Sequence, residues 1–157
     1  MAFRFEKAVR IASSKHPIFD GTGASLFGAR WNTPGRRIIY MADSFAGAML
    51  EKLVHLNINR MPRLESWIEC LIPENVPAEA LDAAALPGWD REDQQVSRVY
   101  GNRWFDEKRS LVLAVPSLVT HGRSFNLLIN QQHSEFHRLK PTSPQPVEWD
   151  DRLFGKN

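Results

Sequence analysis

Residues 28–53 have the sequence GARWNTPGRRIIYMADSFAGAMLEKL, which changes its local character twice along its length. RRIIYMA (36–42) is a short apolar run rich in β-forming residues and bounded by turn signals on both sides. It predicts a buried strand. The segment 43–57 then places apolar side chains at helical spacing behind Asp43 or Ser44, either of which can cap the first turn. A strand followed directly by an amphipathic helix is therefore expected over 36–57.

The rest of the chain predicts further strands, one more helix and several irregular segments. Strands are expected at 3–11, 64–73, 110–117 and 124–130, and a helix at 91–108, with Gly101 as a weak point or a kink. The long segment 12–35 lacks periodicity, which is typical of a functional loop or of unrecognised short elements. The tail from Lys140 has three prolines and is expected to be irregular. Strands and helices alternate without a regular βαβ rhythm, which favours a mixed α+β fold in a single domain over 1–157.

The composition excludes several classes of protein. With 157 residues, 43% hydrophobic and 24% charged, the chain is neither a disordered tail nor a coiled coil. No apolar run reaches the ~20 residues of a membrane span, and the N-terminus lacks a signal-peptide core, so we expect a cytoplasmic protein without a membrane partner. The single Cys70 excludes an intrachain disulfide, and a net charge of +2 is far from that of a typical nucleic-acid binder.

Glu51 is the most informative candidate for chemistry. Gly47 and Ala48 lie one helical turn before it, and such small residues leave space for a ligand beside the carboxylate. The alternative is an exposed glutamate that pairs with Lys52 or His55 on a solvated face.

Arg30 and Trp31 lie in a loop rich in glycine, where a guanidinium group can hold a phosphate in two hydrogen bonds. The alternative is a surface loop held by a buried tryptophan. Arg10, near the end of the first predicted strand, could equally be a charge at a strand edge.

Tyr40 and Ser117 each lie at an apolar strand. The ring of Tyr40 could stack on a base or a nicotinamide, although a core tyrosine explains the pattern equally. Ser117 follows a strand without the surroundings of a nucleophilic serine, so it could also be a turn residue. His133 and His137 have helical spacing but no third ligand, and no metal site is expected.

The order of these motifs is more specific than any one of them. A G-A-R-W-N loop leads into the Ile-Tyr strand, followed by A-x-L-E on the helix, then L-x-V-P-S and N-x-x-x-N. Over residues 8–135 this order resembles the RES-domain family, the toxin component of Xre–RES bacterial toxin–antitoxin pairs.

The resemblance implies a fold related to ADP-ribosyltransferases, with a largely antiparallel sheet and flanking helices. It implies an enzyme that consumes NAD⁺ as a substrate and needs no resident cofactor. Glu51 would be the catalytic carboxylate, Arg30 would hold the pyrophosphate or ribose, and Tyr40 would stack near the nicotinamide. Ser117 would complete the pocket. Further substrate contacts would come from Arg10, Trp31, Asn126 and Asn130.

The acceptor of the ADP-ribosyl group stays open. Water or phosphate as acceptor would degrade NAD⁺, which we expect, and a protein side chain would make the chain a mono-ADP-ribosyltransferase. A non-catalytic nucleotide-binding module is a further alternative. The resemblance also implies an Xre-type antitoxin with a helix-turn-helix, which would block the cleft and would carry any contact with DNA.

Overall fold

The computed structural model describes residues 1–56 and 64–155 and shows a seven-stranded sheet flanked by helices. The strands are β1 (Lys7–Ser13), β2 (Ile38–Ala42), β3 (Glu65–Leu71), β4 (Ala78–Ala80), β5 (Val112–Pro116), β6 (Phe125–Asn130) and β7 (Gln145–Pro146). The helices are α1 (Thr22–Phe27), α2 (Phe45–Val54) and α3 (Gln95–Asp106). Single 3-10 turns occur at Ala83–Ala85, Phe136–Arg138 and Asp151–Leu153. Within the described ranges, no helix is long and apolar enough to cross a membrane.

The sheet has the strand order β4-β5-β6-β2-β1-β3-β7. β4 runs parallel to β5, and every other pair of neighbouring strands is antiparallel. The expected α+β fold with a largely antiparallel sheet is therefore confirmed.

The two faces of the sheet have different covers, which follow from the alternation of side chains along each strand. Ile39 and Met41 of β2 belong to a core that is closed by segments outside the regular elements. Ile38 and Tyr40 point to the opposite face, where they pack with residues of α3 such as Trp104. Ala42, also on that face, packs with residues of α2. Helices α2 and α3 therefore cover neighbouring parts of the same face.

The sheet is continuous except at its centre. β1 pairs with β3 from Lys7 to Ser13, and β2 pairs with β6 from Ile38 to Ala42. Between β1 and β2, by contrast, the structure pairs Val9 with Ala42 only, in the part of the chain that it describes. The two strands separate beyond this pair, and the gap opens into a cleft.

The observed elements correspond to the predicted ones, except that the first strand, predicted at 3–11, runs from Lys7 to Ser13 and that there are three short additions. The segment 12–35 contains α1, the connector after Pro73 contains β4, and the otherwise irregular tail contains β7. Helix α2 begins after Ser44, whose hydroxyl accepts the Gly47 N–H at 2.9 Å, and the last predicted helical residue, Asn57, lies outside the described residues. Gly101 is neither a weak point nor a kink, because α3 continues through it.

Candidate active site

A cleft of about 850 Å³ opens where β1 and β2 separate, between α1, α2 and the loop that precedes β2. Most of the sequence-predicted residues come together there. Glu51, Arg30, Arg10, Tyr40 and Asn126 line its walls.

Helix α2 brings Glu51 to the cleft and two side chains hold its carboxylate. Oε1 accepts a hydrogen bond from Ser117 Oγ at 3.0 Å and another from Asn126 Nδ2 at 2.9 Å. Within the described residues, Oε2 accepts no hydrogen bond. Lys52 pairs with Glu65 at 3.1 Å, so the alternative in which Lys52 neutralises Glu51 on a solvated face is wrong. One oxygen of Glu51 is thus fixed and the other is available to a ligand.

Ser117 has a different position from the one implied by the family resemblance. Its side chain is 3% exposed and lies behind Glu51 rather than on the cleft wall. Its backbone N–H donates to the carbonyl of Ser124 at 2.9 Å, which fixes the turn after β5. Ser117 therefore contacts Glu51 from outside the cleft wall, and its implied place among the catalytic residues stays a prediction.

Arg30 lies on the wall of the cleft formed by the loop before β2. Its Nη1 donates to the carbonyls of Trp89 at 3.2 Å and Arg91 at 3.0 Å, which orients the guanidinium group. Partial burial lowers the pKa of Arg30, and the nearby Asp90 and Glu51 act against this shift. Arg30 and Glu51 therefore interact through their charges across the cleft.

Helix α3 holds the loop that carries Arg30. Ser97 Oγ donates to the Arg30 carbonyl at 2.6 Å, and Arg98 Nε donates to the Ala29 carbonyl at 3.0 Å. One turn further on, Asn102 Oδ1 accepts the Thr33 N–H at 3.0 Å. These bonds come from one face of α3, since their residues are spaced by four or five positions. The backbone of the loop is therefore fixed by a helix rather than left mobile.

Tyr40 links the loop to the sheet. Its hydroxyl donates to Asn32 Oδ1 at 2.6 Å and accepts the Trp31 N–H at 3.2 Å. Burial raises the pKa of the Tyr40 phenol, so the hydroxyl stays protonated and keeps both bonds at neutral pH. The ring lines the cleft, and the same residue orients the loop.

Arg10 lies in the gap between β1 and β2. Its Nε donates to the carbonyl of Ile18 at 2.8 Å and its Nη1 donates to the carbonyl of Tyr40 at 2.7 Å. Burial lowers the pKa of Arg10, and the charge of Asp20 partly offsets this effect. Among the described residues Arg10 makes no ion pair, so the cleft contains a partly buried cation without a carboxylate in contact.

Two sequence-predicted substrate contacts are buried; Trp31 lies at the cleft wall, whereas Asn130 does not. Trp31 is 2% exposed and stacks on Trp89 with ring centroids 6.4 Å apart, so it secures the loop and leaves little surface for a ligand. Asn130 is fully buried at the other end of β6 from Asn126, where its Nδ2 donates to the Phe105 carbonyl at 3.2 Å. It does not line the cleft, and its expected contact with the substrate stays a prediction.

The site has a defined chemical character. One carboxylate with a free oxygen suits a ligand that carries hydroxyls or a developing positive charge, and guanidinium groups suit an anion. In the part of the chain that the structure covers, no three metal-ligating side chains cluster.

The chain is similar in sequence to a known protein family and to individual members of it. The family model of the RES domain matches residues 7–150. The chain belongs to the RES domain family. It is 36% identical over 140 residues to the "Prs ADP-ribosylating toxin" of Sphingobium sp. (strain YBL2), with 87% of this chain and 86% of that protein covered. It is 34% identical over 143 residues to "Toxin Res" of Pseudomonas putida (strain KT2440), with 90% and 96% covered.

The RES fold is also present in a solved structure. A chain in the crystal structure of the M. tuberculosis MbcT-MbcA toxin–antitoxin complex superposes with a TM-score of 0.66 at 18% sequence identity. The match covers 90% of this chain and 84% of that chain, so the two share a fold.

Several residues of this RES cleft have no counterpart among the sequence predictions. Asp20 and Phe27 line it from the segment before and within α1, and Gln94 lines it at the start of α3. For the loop that carries Arg30, the sequence of α3 does contain a signal. Ser97, Arg98 and Asn102 are polar and Gly101 lies among them, and such a pattern indicates that another segment of backbone packs closely on this part of the helix. The segment 12–35 gave no periodic signal for Asp20 and Phe27.

Proposed function

We propose that this RES protein is a toxin that arrests bacterial growth by cleaving the bond between nicotinamide and ribose in NAD⁺. The observation that carries the proposal is the carboxylate of Glu51, which lines a cleft that also contains Arg10 and Arg30 and whose Oε1 is held by two donors, while Oε2 accepts no hydrogen bond among the described residues. Such a cleft offers a negative group for the reacting ribose and positive groups for the pyrophosphate.

The reaction requires little proton transfer. The bond between C1′ of the ribose and the ring nitrogen of nicotinamide breaks, and its electron pair leaves with nicotinamide, which becomes neutral. The ribose passes through a state with positive charge at C1′, as in glycoside hydrolysis. Glu51 stabilises that charge and orients the neighbouring 2′-hydroxyl through its free oxygen. Because nicotinamide is a neutral leaving group, no general acid is needed.

The other residues of the site position the catalytic carboxylate or bind the substrate. Ser117 and Asn126 fix the carboxylate before the substrate arrives, so no reorganisation is needed during bond cleavage. The pyrophosphate would be bound by the guanidinium of Arg30, with Arg10 behind it. A partly buried cation without a paired carboxylate is under-solvated, and an anionic ligand would offset part of that cost.

The acceptor distinguishes two functions for the same site. We favour water or inorganic phosphate as the acceptor, which gives NAD⁺ hydrolysis or phosphorolysis. The name of the Sphingobium relative describes an ADP-ribosylating toxin, and this favours transfer to a protein side chain as the second candidate. Incubation with NAD⁺ labelled in its adenosine half separates them: free ADP-ribose or its phosphate ester indicates degradation, and label on protein indicates transfer.

A toxin of this kind needs a neutralising partner. The structural match to a chain of a toxin–antitoxin complex supports an antitoxin for this protein, and the resemblance to Xre–RES pairs supports an Xre-type one. We infer that the antitoxin covers the cleft and that any contact with DNA belongs to it.

The experiment that tests the function measures nicotinamide release from NAD⁺ by the purified protein and by Glu51→Gln. We expect a loss of about a thousandfold or more, since the transition-state charge then has no counter-charge. Glu107→Gln is the matched control, because Glu107 pairs with Arg103 at 2.8 Å on the exposed end of α3. Retention of activity by folded Glu51→Gln would refute the assignment.

A further inference from the structure

The cleft extends well beyond Glu51 and the two arginines. Its far end is formed by Asp20 and by one face of α1, on which Gly23, Ala24 and Phe27 line the cleft. Gly23 and Ala24 lie four and three positions before Phe27, which is the spacing of one helix face, so this side of α1 is turned to the cleft. The small residues leave room, and Phe27 is 80% exposed.

Neighbouring contacts place Asp20 and Glu51 at opposite ends of the cleft. Glu51 bonds to Asn126 at the start of β6, whereas Asp20 Oδ1 accepts from Gln131 Nε2 at 2.9 Å, just after β6 ends. Five residues of extended strand separate these two partners, which is about 17 Å. The chain at Gly21 is packed on the start of β2, because a Cβ there would lie 2.7 Å from the Arg37 carbonyl carbon.

The charges along the cleft therefore have a fixed order. Glu51 lies at one end with Arg30 beside it, and Arg10 lies in the middle, where it bonds to the central carbonyl of β2. Asp20 lies at the far end and acts on Arg10 through its charge. The order is negative, positive, positive, negative.

We propose that Asp20 and Phe27 form the subsite for the adenosine half of the dinucleotide and make the enzyme selective for NAD⁺ over NADP⁺. This inference rests on the proposed function. A dinucleotide has two riboses joined by two phosphates, and the order of charges in the cleft is complementary to it. A ribose lies against each carboxylate and the pyrophosphate lies against the arginines.

Asp20 is ionised and fixed. Its Oδ2 accepts from the backbone N–H of Thr22 at 3.3 Å and also from the Thr22 hydroxyl, and these bonds hold the pKa of Asp20 below its usual value. NADP⁺ carries a 2′-phosphate on the adenosine ribose, and a fixed carboxylate repels it, whereas it tolerates the 2′-hydroxyl of NAD⁺. Arg37, a cation at this end that could bind the phosphate, is paired with Asp20 at 3.5 Å.

Phe27 supplies the apolar surface of the subsite. An aromatic face in the wall of a cleft is a stacking platform for a base. Its neighbour Leu26 is 63% exposed on the same short helix but does not line the cleft. Variants of Phe27 and Leu26 therefore distinguish the effect of stacking in the cleft from the effect of losing exposed apolar surface.

The first test compares kcat/KM for NAD⁺ and NADP⁺ in the native protein and in Asp20→Asn. The native protein is expected to prefer NAD⁺, and Asp20→Asn is expected to reduce the preference by about tenfold, because it removes the repulsion and releases Arg37. Asp106→Asn, which breaks an Arg36 pair on the outside of α3, is the control and should leave the ratio unchanged. An unchanged ratio in Asp20→Asn would overturn the selectivity claim.

The second test uses Phe27→Ala, Phe27→Trp and Leu26→Ala. Phe27→Ala is expected to raise KM for NAD⁺ by roughly tenfold with kcat nearly unchanged, Phe27→Trp to restore KM, and Leu26→Ala to have no effect. Equal KM values for Phe27→Ala and Leu26→Ala would refute the subsite. Calorimetric titration with ADP, which lacks the scissile bond, gives a second readout. If Phe27→Ala loses ADP binding, the subsite is supported, even if the native protein releases no nicotinamide from NAD⁺. If the native protein cleaves NAD⁺ but Phe27→Ala binds ADP as tightly as the native protein does, only the subsite is refuted.

Discussion

The contact between Gly101 of α3 and the carbonyl of Trp31 gives a quantitative prediction. A Cβ at position 101 would lie 1.9 Å from Trp31 O and 2.8 Å from Trp31 C. Ordinary contacts between such atoms are ~3.5 Å, so the helix and the loop must move apart by about 1.6 Å in Gly101→Ala. The atoms in conflict are backbone atoms, so no side-chain rotation relieves the contact.

The cost of Gly101→Ala follows from this geometry. Overpacking costs about 1–3 kcal/mol and more where the backbone must shift, and the better helix propensity of alanine returns about 1 kcal/mol. At the upper end of this cost the free energy of unfolding should fall by about 2 kcal/mol, which lowers Tm by roughly 4–8 °C for a domain of this size. Because Trp31 is next to Arg30, nicotinamide release should fall as well.

Thermal unfolding followed by circular dichroism measures the change in Gly101→Ala. The matched control is Gly23→Ala, a helical glycine whose added Cβ would have no atom within 4 Å. It should be neutral or more stable. If Gly101→Ala were as stable as the native protein, the packing of the loop on α3 would be refuted.

Two further predictions concern charged groups. Arg30→Lys should lower kcat/KM for NAD⁺ by about a hundredfold, because lysine cannot keep both carbonyl bonds and still present a planar fork to phosphate. Arg103→Lys, on the exposed face of α3, is the control. Near-native kinetics for Arg30→Lys would remove Arg30 from the site. Hydrogen bonds from Thr22 and from Arg36 lower the pKa values of Asp20 and Asp106 respectively. The two carboxylates therefore contribute fully to stability above about pH 4, and this contribution is lost as the pH falls through their lowered pKa values. Urea unfolding at a series of pH values should show this loss, and the loss should be smaller in Asp106→Asn; an equal dependence of stability on pH in both proteins would contradict the prediction.

The main elements of the fold could be predicted from local patterns. The strand at 36–42 and the helix behind it have clear periodicity and turn residues at their ends, and the structure has β2 and α2 there. The three-residue β4 and two-residue β7 could not be found in this way, because they exist only through pairing with distant strands. Helix α1, with six residues and a glycine in its first turn, is too short for a periodic signal.

Site residues that belong to the ordered motifs could be predicted from the sequence, whereas those whose position depends on three-dimensional packing could not. Glu51 and Arg30 follow from the order of the motifs, and both line the cleft. Asn126 and Asn130 are equivalent in sequence, since both lie on one face of a strand. Their separation by four residues, about 13 Å, puts one at Glu51 and the other in the core, and only the packing of α2 against the sheet shows which.

The measurement that tests the central claim most directly is the NAD⁺ concentration in bacteria after brief induction of this protein, beside cells that express folded Glu51→Gln at the same level. The account predicts that NAD⁺ falls and growth stops with the native sequence, and that neither changes with Glu51→Gln. Growth arrest without a fall in NAD⁺, or an equal fall with Glu51→Gln, would contradict it.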